Sequence, residues 1–222
     1  MDILLAAGLW LDGSTAWDDV VKHLGHPAVP ITLPGQGDGN AAATLSDQLA
    51  AVLSAVDSAV EKPVVVGHSA ACTLAWLAAD ARPDRLAKVV LIGGFPTTHG
   101  QPYAPFFEIV DGGMPFPGWT PFEGPDTVDL DEPTRQRMAA EAIPVPEAVA
   151  RSVVHYTDER RFDVPVTVIC PEFSPAQARQ WIDAGEVPEL AAAKHLELVD
   201  IDSGHWPMVT RPAELARLLD AS

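Results

Sequence analysis

Ser69 carries the strongest chemical signal in the sequence, within the segment VVVGHSAA at residues 64–71. The valines predict a buried strand and the apolar residues after the serine predict a helix, so Ser69 falls in the tight turn between them. Such a turn lifts a serine out at the strand end, and the small residues Gly67 and Ala71 flank it where larger side chains would clash. A helix cap is the alternative role. The predicted strand before Ser69 favours the role of a nucleophile over that of a helix cap.

A serine hydroxyl needs a base to remove its proton, and His205 is the histidine best placed to act. It lies in the loop DSGHWP, residues 202–207, between the last predicted strand and a C-terminal helix. This loop and Ser69 are predicted to leave the sheet at the same edge. His68, beside the serine, points the wrong way for a base and is expected to shape the turn.

The elements that must position these residues alternate between short β-branched runs and Ala- and Leu-rich segments, as in βαβ units. We predict strands at residues 3–6, 29–32, 64–66, 89–92, 166–170 and 196–200. We predict helices at residues 17–23, 44–60, 70–80, 175–184 and 212–219. Most strands are continuous apolar runs, as expected when helices cover both faces. The predicted fold class is α/β, with a mostly parallel six-stranded sheet.

The alternation stops between the fourth and fifth predicted strands. Residues 95–163 are rich in proline, glycine and aromatic residues, with an acidic bias and one predicted helix at residues 132–143. Long insertions in compact domains are usually functional. We predict a cap over the carboxyl edge of the sheet, since the aromatic residues argue against a disordered linker. The core then comprises residues 1–94 and 164–222.

These motifs together resemble the α/β-hydrolase fold superfamily. The turn at Ser69, the turn LPGQG at residues 33–37 and the His205 loop occur in that family's order across the chain. The sequence is similar to a compact group of plant methyl-ester esterases and hydroxynitrile lyases, which lack two leading strands and end in a His-x-x-Met-x-x-x-Pro-x-x-Leu segment. The match here is HWPMVTRPAEL, residues 205–215. Small actinobacterial-type hydrolases with a segment like GLWLD, residues 8–12, are also similar.

The resemblance implies an oxyanion hole built from two main-chain N–H groups. One follows the nucleophile, at Ala70, and the other lies after the first strand, at Leu9. The family usually has a His-Gly pair before the second donor, whereas this sequence has Ala7 and Gly8. The donor belongs to the main chain, so the missing histidine does not remove it. Gly8 would let the backbone approach a substrate closely.

The resemblance also implies a carboxylate that orients His205, after the penultimate strand or the strand before it. No carboxylate lies near the end of the fourth predicted strand, whereas Glu172 follows the fifth. Glu172 is displaced by about two residues from the family's usual aspartate, and its longer side chain can compensate. We predict Glu172 as the third member of a triad. Asp200, Asp202 or a water molecule are the alternatives.

Aromatic residues near these positions predict a pocket with apolar walls, suited to an acyl group or an aromatic or alicyclic ester. The residues assigned to this pocket are Gly8, Trp10, His68, Phe106, Phe107, Trp119 and Trp206. The alternative role for the rings is to hold the cap on the sheet.

The composition excludes several kinds of partner. The 222 residues include 31 acidic and 14 basic side chains, and the net charge of −17 offers no basic field to nucleic acid or an anionic membrane. No apolar run is long enough to span a bilayer and the N-terminus lacks the positive flank of a signal peptide, so we expect a cytoplasmic protein. Cys72 and Cys170 match neither a disulfide scaffold nor a metal site. We expect a monomer or homodimer without metal or cofactor.

The sequence therefore predicts a serine hydrolase that cleaves a small, uncharged, largely apolar ester, thioester or lactone through an acyl-serine intermediate. Two alternatives stay open: a lyase on the same fold that uses Ser69 and His205 as a proton relay, and a non-catalytic small-molecule receptor. The related lyases place a lysine beside the catalytic histidine, where this sequence has Trp206. That difference counts against cyanohydrin chemistry.

Overall fold

The computed structural model describes residues 1–221. The strands are β1 (Ile3–Ala6), β2 (Ala28–Ile31), β3 (Val64–His68), β4 (Lys88–Ile92), β5 (Gly113–Met114), β6 (Val145–Pro146), β7 (Val166–Cys170) and β8 (Leu196–Asp200). The α-helices are α1 (Asp18–Val21), α2 (Leu45–Ser58), α3 (Ala71–Ala81), α4 (Glu132–Glu141), α5 (Glu147–Ala150), α6 (Pro175–Asp183), α7 (Pro188–Ala191), α8 (Pro207–Thr210) and α9 (Pro212–Asp220). Within residues 1–221, no helix has the length and apolar character needed to cross a membrane.

Six of the strands form one parallel sheet in the order β2-β1-β3-β4-β7-β8. The chain steps from β1 outward to β2 and then returns to the other side of β1 as β3. The carboxyl ends of β1 and β3 therefore form a switch point, the place where open α/β sheets bind ligands. The predicted α/β fold class with a six-stranded sheet is confirmed.

Two apolar cores lie on opposite faces of the sheet, because successive residues of a strand point to opposite sides. On one face, Leu4 and Val65 belong to the core that contains buried residues of α2, α3 and α6. On the other face, Ile3 and Val64 belong to the core that contains buried residues of α1 and α9. Helices thus cover both faces, which explains why the strands read as continuous apolar runs.

The element boundaries differ from the predictions mainly at strand and helix ends. Strands β1, β7 and β8 have the predicted bounds, whereas β3 continues through Gly67 and His68 because both still pair with β4. Helix α1 is only four residues long. Helix α2 begins after Thr44, whose hydroxyl accepts from the Asp47 N–H while the Asp47 carboxylate accepts from the Thr44 N–H. Such reciprocal caps satisfy two helix-end donors.

The insertion, residues 95–163, is closed at its base by a two-stranded stem formed by residues 100–104 and 150–154. The Gly100 N–H donates to Val154 O at 2.8 Å, and the Tyr103 N–H donates to Ser152 O at 2.8 Å. Beyond the stem lie α4 and the antiparallel pair β5–β6. None of the residues of α4 is fully buried, and Met138 packs against one of the two cores.

A buried polar cluster, which we call the basal network, joins the end of the insertion to α3 and α7. The Asp80 carboxylate accepts hydrogen bonds from the Thr157 and Asp158 N–H groups, each at 2.9 Å. The Arg161 guanidinium lies 3.4 Å from the carboxylates of both Asp80 and Glu189. The side chains of Asp80, Arg161 and Glu189 are nearly inaccessible to solvent. Buried charges need such pairing to be tolerated.

Candidate active site

Ser69 occupies a strained turn between β3 and α3. Its φ of +56° is uncommon for a residue with a side chain and costs about 1–3 kcal/mol, so the surroundings must enforce it. The Ser69 N–H donates to Ile92 O at 2.8 Å, and Ser69 O accepts from the Cys72 N–H at 3.0 Å. A Cβ atom on Gly67 would lie 2.2 Å from Ala71 O, so only glycine fits there. The turn presents Ser69 at the carboxyl edge of the sheet.

His205 follows β8 and lies against Glu172, which follows β7. The distance from His205 Nδ1 to Glu172 Oε1 is 2.8 Å, and the two side chains are 13% and 15% exposed. A carboxylate accepts, so this contact assigns the proton to Nδ1 and leaves Nε2 as the acceptor in the neutral imidazole. The structure therefore brings the predicted acid and base together. Asp202, an alternative acid, is exposed.

The main chain of His205 is held from two sides. Its N–H donates to Asp126 O of the insertion at 2.8 Å, and its carbonyl lies 2.8 Å from His68 Nε2. Burial and the nearby His205 lower the pKa of His68 to about 3, so its ring is neutral near pH 7. Because a carbonyl only accepts, His68 Nε2 must carry the proton. His68 is 1% exposed and supports the site from beneath, so the structure does not place it on a pocket wall.

Two glycines outside the predicted site, Gly93 and Gly94, line it after β4. A Cβ atom on Gly93 would lie 3.3 Å from both Glu172 Oε2 and His205 Nδ1. A Cβ atom on Gly94 would lie 2.8 Å from Ser69 O. Their signal in the sequence is a glycine pair at the end of a central strand, beside the strand that leads to Ser69.

Two free main-chain donors lie on the loops that adjoin Ser69. Among residues 1–221, neither the Leu9 N–H nor the Ala70 N–H donates a hydrogen bond to another protein group. Gly8 brings the Leu9 loop close, because a Cβ atom on Gly8 would lie 3.0 Å from Ser69 Cβ and 2.8 Å from His68 Nδ1. Partly buried N–H groups need an acceptor, and an anionic oxygen bound at Ser69 would provide one.

Aromatic residues of the insertion and the core form one cluster, which we call the aromatic roof. Its members are Trp10, Phe107, Phe116, Trp119, Phe122 and Trp206, with ring centroids 5.0–6.5 Å apart in contacting pairs. The Trp206 ring also lies 4.8 Å from the His205 ring. Phe106, which the sequence predicts on the pocket wall, is 59% exposed, whereas its neighbour Phe107 packs against the core. The structure thus brings Phe107 and not Phe106 to the roof.

A groove of about 740 Å³ lies beside the roof, between α1, α4 and α8. Trp10, Met138, Ile143 and Met208 contribute its apolar surface, and neither Ser69 nor His205 lines it. A much smaller space of about 10 Å³ lies beside Leu9, which is room for roughly one water molecule.

Over residues 1–221, no cluster of three or more His, Cys, Asp or Glu side chains has the arrangement of a metal site. Cys72 and Cys170 are buried free thiols.

Comparisons with known proteins agree with this architecture. A sequence model of the "Alpha/beta hydrolase family" matches residues 3–218. An extracellular alpha/beta-hydrolase from a Paenibacillus species superimposes with a TM-score of 0.79 at 17% identity, over 99% of this chain and 97% of that one. A methylesterase from Arabidopsis gives 0.73 at 14% identity, over 99% and 97% of the two chains. A pyrethroid hydrolase from Sphingobium faniae gives 0.69 at 21% identity, over 100% and 96%. No curated protein sequence matches the chain.

Proposed function

Because the chain belongs to the alpha/beta hydrolase family, we propose that it is a serine hydrolase that cleaves a small, uncharged, largely apolar ester, thioester or lactone. The observation that carries this proposal is the 2.8 Å contact between His205 Nδ1 and Glu172 Oε1 at the sheet edge that presents Ser69. A buried carboxylate in this position fixes the tautomer of the base and stabilises the imidazolium that forms.

In the proposed reaction, Ser69 Oγ bonds to the substrate carbonyl carbon while its proton passes to His205 Nε2. The alcohol, thiol or ring oxygen then leaves with that proton, and an acyl-serine ester remains. Water next bonds to the acyl carbon and gives one proton to His205. His205 then returns this proton to Ser69 Oγ as the bond between Oγ and the acyl carbon breaks, which releases the carboxylic acid and restores Ser69. The N–H groups of Leu9 and Ala70 would bind the carbonyl oxygen as its negative charge develops.

Several features support the proposed substrate class. The aromatic roof offers apolar surface next to His205, and Phe107 and Trp119 lie within it, where the insertion would act as a cap. The net charge of −17 disfavours anionic substrates. Two of the structurally similar proteins are named a methylesterase and a pyrethroid hydrolase.

The nucleophile is tested with Ser69→Ala. The variant is expected to lose covalent labelling by a fluorophosphonate and to hydrolyse p-nitrophenyl butyrate about 10⁴-fold more slowly or worse, because the attacking oxygen is gone. Ser174→Ala is the matched control, since that serine only caps α6. Labelling that persists in Ser69→Ala would overturn the assignment. Mass spectrometry of an acylated Ser69 separates hydrolase from lyase chemistry, because a proton relay forms no such adduct.

A further inference from the structure

We propose that Gln36 is a positioning residue that orients the Leu9 N–H of the oxyanion hole. This inference rests on the proposed function, and it concerns a residue outside the predicted site. Gln36 lies in the turn after β2, and its side chain reaches the loop after β1. Its Nε2 lies 2.9 Å from Gly8 O and 3.4 Å from Ala7 O. The residue is 7% exposed, so these contacts are shielded from water.

The orientation of the Gln36 amide is fixed by its partners. Both Gly8 O and Ala7 O are carbonyl oxygens, which only accept hydrogen bonds, so the Gln36 NH₂ group and not its oxygen must face them. The oxygen, Oε1, is buried and has no hydrogen-bond partner among the described residues. An unpaired buried acceptor costs about 1–3 kcal/mol of folding free energy. The contacts of the Gln36 NH₂ group must therefore serve a purpose that outweighs this cost.

The reason follows from the geometry of the peptide group. Gly8 C=O and Leu9 N–H belong to the same peptide, and a planar trans peptide points its C=O and N–H in opposite directions. A donor that holds the Gly8 oxygen on one side therefore aims the Leu9 N–H to the other side. Hydrogen bonding to the carbonyl also polarises the peptide and strengthens its N–H as a donor.

Gly8 makes such a restraint necessary. Any side chain there would contact Ser69 and His68, so the position requires glycine. Glycine leaves the backbone more conformational freedom than any other residue, and the Leu9 N–H is not held by a protein acceptor among residues 1–221. The Gln36 side chain supplies the hold that the local sequence lacks.

Gln36→Met tests the inference, because methionine fills a similar volume without a donor. We expect kcat for p-nitrophenyl butyrate to fall about 10- to 100-fold while KM changes little, because an oxyanion donor acts in the transition state and its complete loss costs about 10²–10³-fold. Gln48→Met is the matched control. Gln48 is also buried, and its Nε2 donates to Pro34 O at 2.9 Å, on the same turn but away from the Gly8 peptide.

The outcomes separate a positioning role from a structural one. An equal loss of kcat in Gln36→Met and Gln48→Met, or no loss in Gln36→Met, would overturn the inference. A second readout is the ¹⁵N–¹H resonance of Leu9, which is expected to shift in Gln36→Met and not in Gln48→Met. Turnover that survives Ser69→Ala would overturn the proposed function instead, whereas the Leu9 resonance would still report whether Gln36 orients this peptide.

Discussion

Two of the contacts between the insertion and the rest of the protein differ in kind. In the basal network, Asp80 and Arg161 make hydrogen bonds and ion pairs whose strength depends on direction as well as distance. In the aromatic roof, the ring pairs are tilted, edge-on and stacked; Phe116, for example, lies edge-on to Trp10 and stacks on Phe122. Apolar contacts are largely non-directional, so rings can repack where a buried charge cannot. The basal network therefore fixes the end of the insertion against α3, and the aromatic roof leaves the outer part of the insertion adaptable.

The largest expected effect comes from removing a carboxylate from the basal network. Asp80→Ala would leave Arg161 and two main-chain N–H groups without their carboxylate, and we expect the free energy of unfolding to fall by about 3–5 kcal/mol in urea titrations. Asp84→Ala is the control, since that carboxylate pairs with Arg160 at the solvent-exposed surface. If both variants unfold at nearly the same urea concentration, the basal network contributes no more to the free energy of unfolding than an exposed ion pair does.

A smaller effect is expected where the insertion contacts the loop that carries His205. A Cβ atom on Gly204 would lie 2.4 Å from Asp126 O and 2.6 Å from Asp129 Oδ1. Gly204→Ala should therefore push the insertion away from the His205 loop and lower the free energy of unfolding by about 1–3 kcal/mol. Limited proteolysis should then cut the insertion faster. Gly113→Ala, where the nearest atoms are 3.4 Å away, should leave the cutting rate unchanged.

Conservative substitutions in the aromatic roof and in the basal network compare the two kinds of contact directly. Phe116→Leu replaces one ring by a smaller apolar side chain, and repacking should limit the loss to about 1 kcal/mol. Arg161→Lys is a similarly conservative change in the basal network. It should lower the free energy of unfolding by more, because one guanidinium spans the carboxylates of Asp80 and Glu189. Urea titrations of both variants would test this order. The reverse order would show that the roof is the more directional contact.

The smallest effect is expected from removing the charge of Asp126, in the insertion. Burial raises the pKa of the Asp126 carboxyl above its ordinary value of 3.8. The folded state therefore disfavours its ionised form, so the stability from this group is present below about pH 3.8 and is lost as the pH rises through the higher folded pKa. Asp126→Asn should stabilise the protein by less than about 1 kcal/mol near pH 7, since the site is partly solvated.

The measurement is the urea midpoint of Asp126→Asn and of the parent protein at about pH 7 and about pH 4. The gain should shrink at the lower pH because less of the parent carboxyl is ionised there. Asp202→Asn, which removes the charge of an exposed carboxylate, is the control variant. A gain that grows on acidification would contradict the assigned direction.

Local sequence patterns were enough to predict the sheet and the positions of Ser69 and His205. Runs of valine such as residues 64–66 indicate a buried strand. Because the strands are parallel, the residues that follow them meet at the carboxyl edge of the sheet. The prediction of Glu172 depends on the family resemblance, which implies a carboxylate after the fifth predicted strand, and the structure places Glu172 against His205.

Other features depend on contacts between distant parts of the chain, which leave no periodic signal. Gln36 donates to a carbonyl 28 residues away, and Arg161 lies against Asp80 across 81 positions. Phe106 and Phe107 are identical in type, so their sequence could not show which ring points inward. Only the packed structure distinguishes them.

The stem at residues 100–104 and 150–154 also bears on how this protein can change over evolution. Its main-chain hydrogen bonds hold the two ends of the outer segment side by side. Once the ends are held, closing a longer loop adds little entropy cost, about 0.6 kcal/mol for each doubling of length. Insertions or deletions of whole helices beyond the stem should therefore cost little stability and leave in place the strands that precede Ser69 and His205.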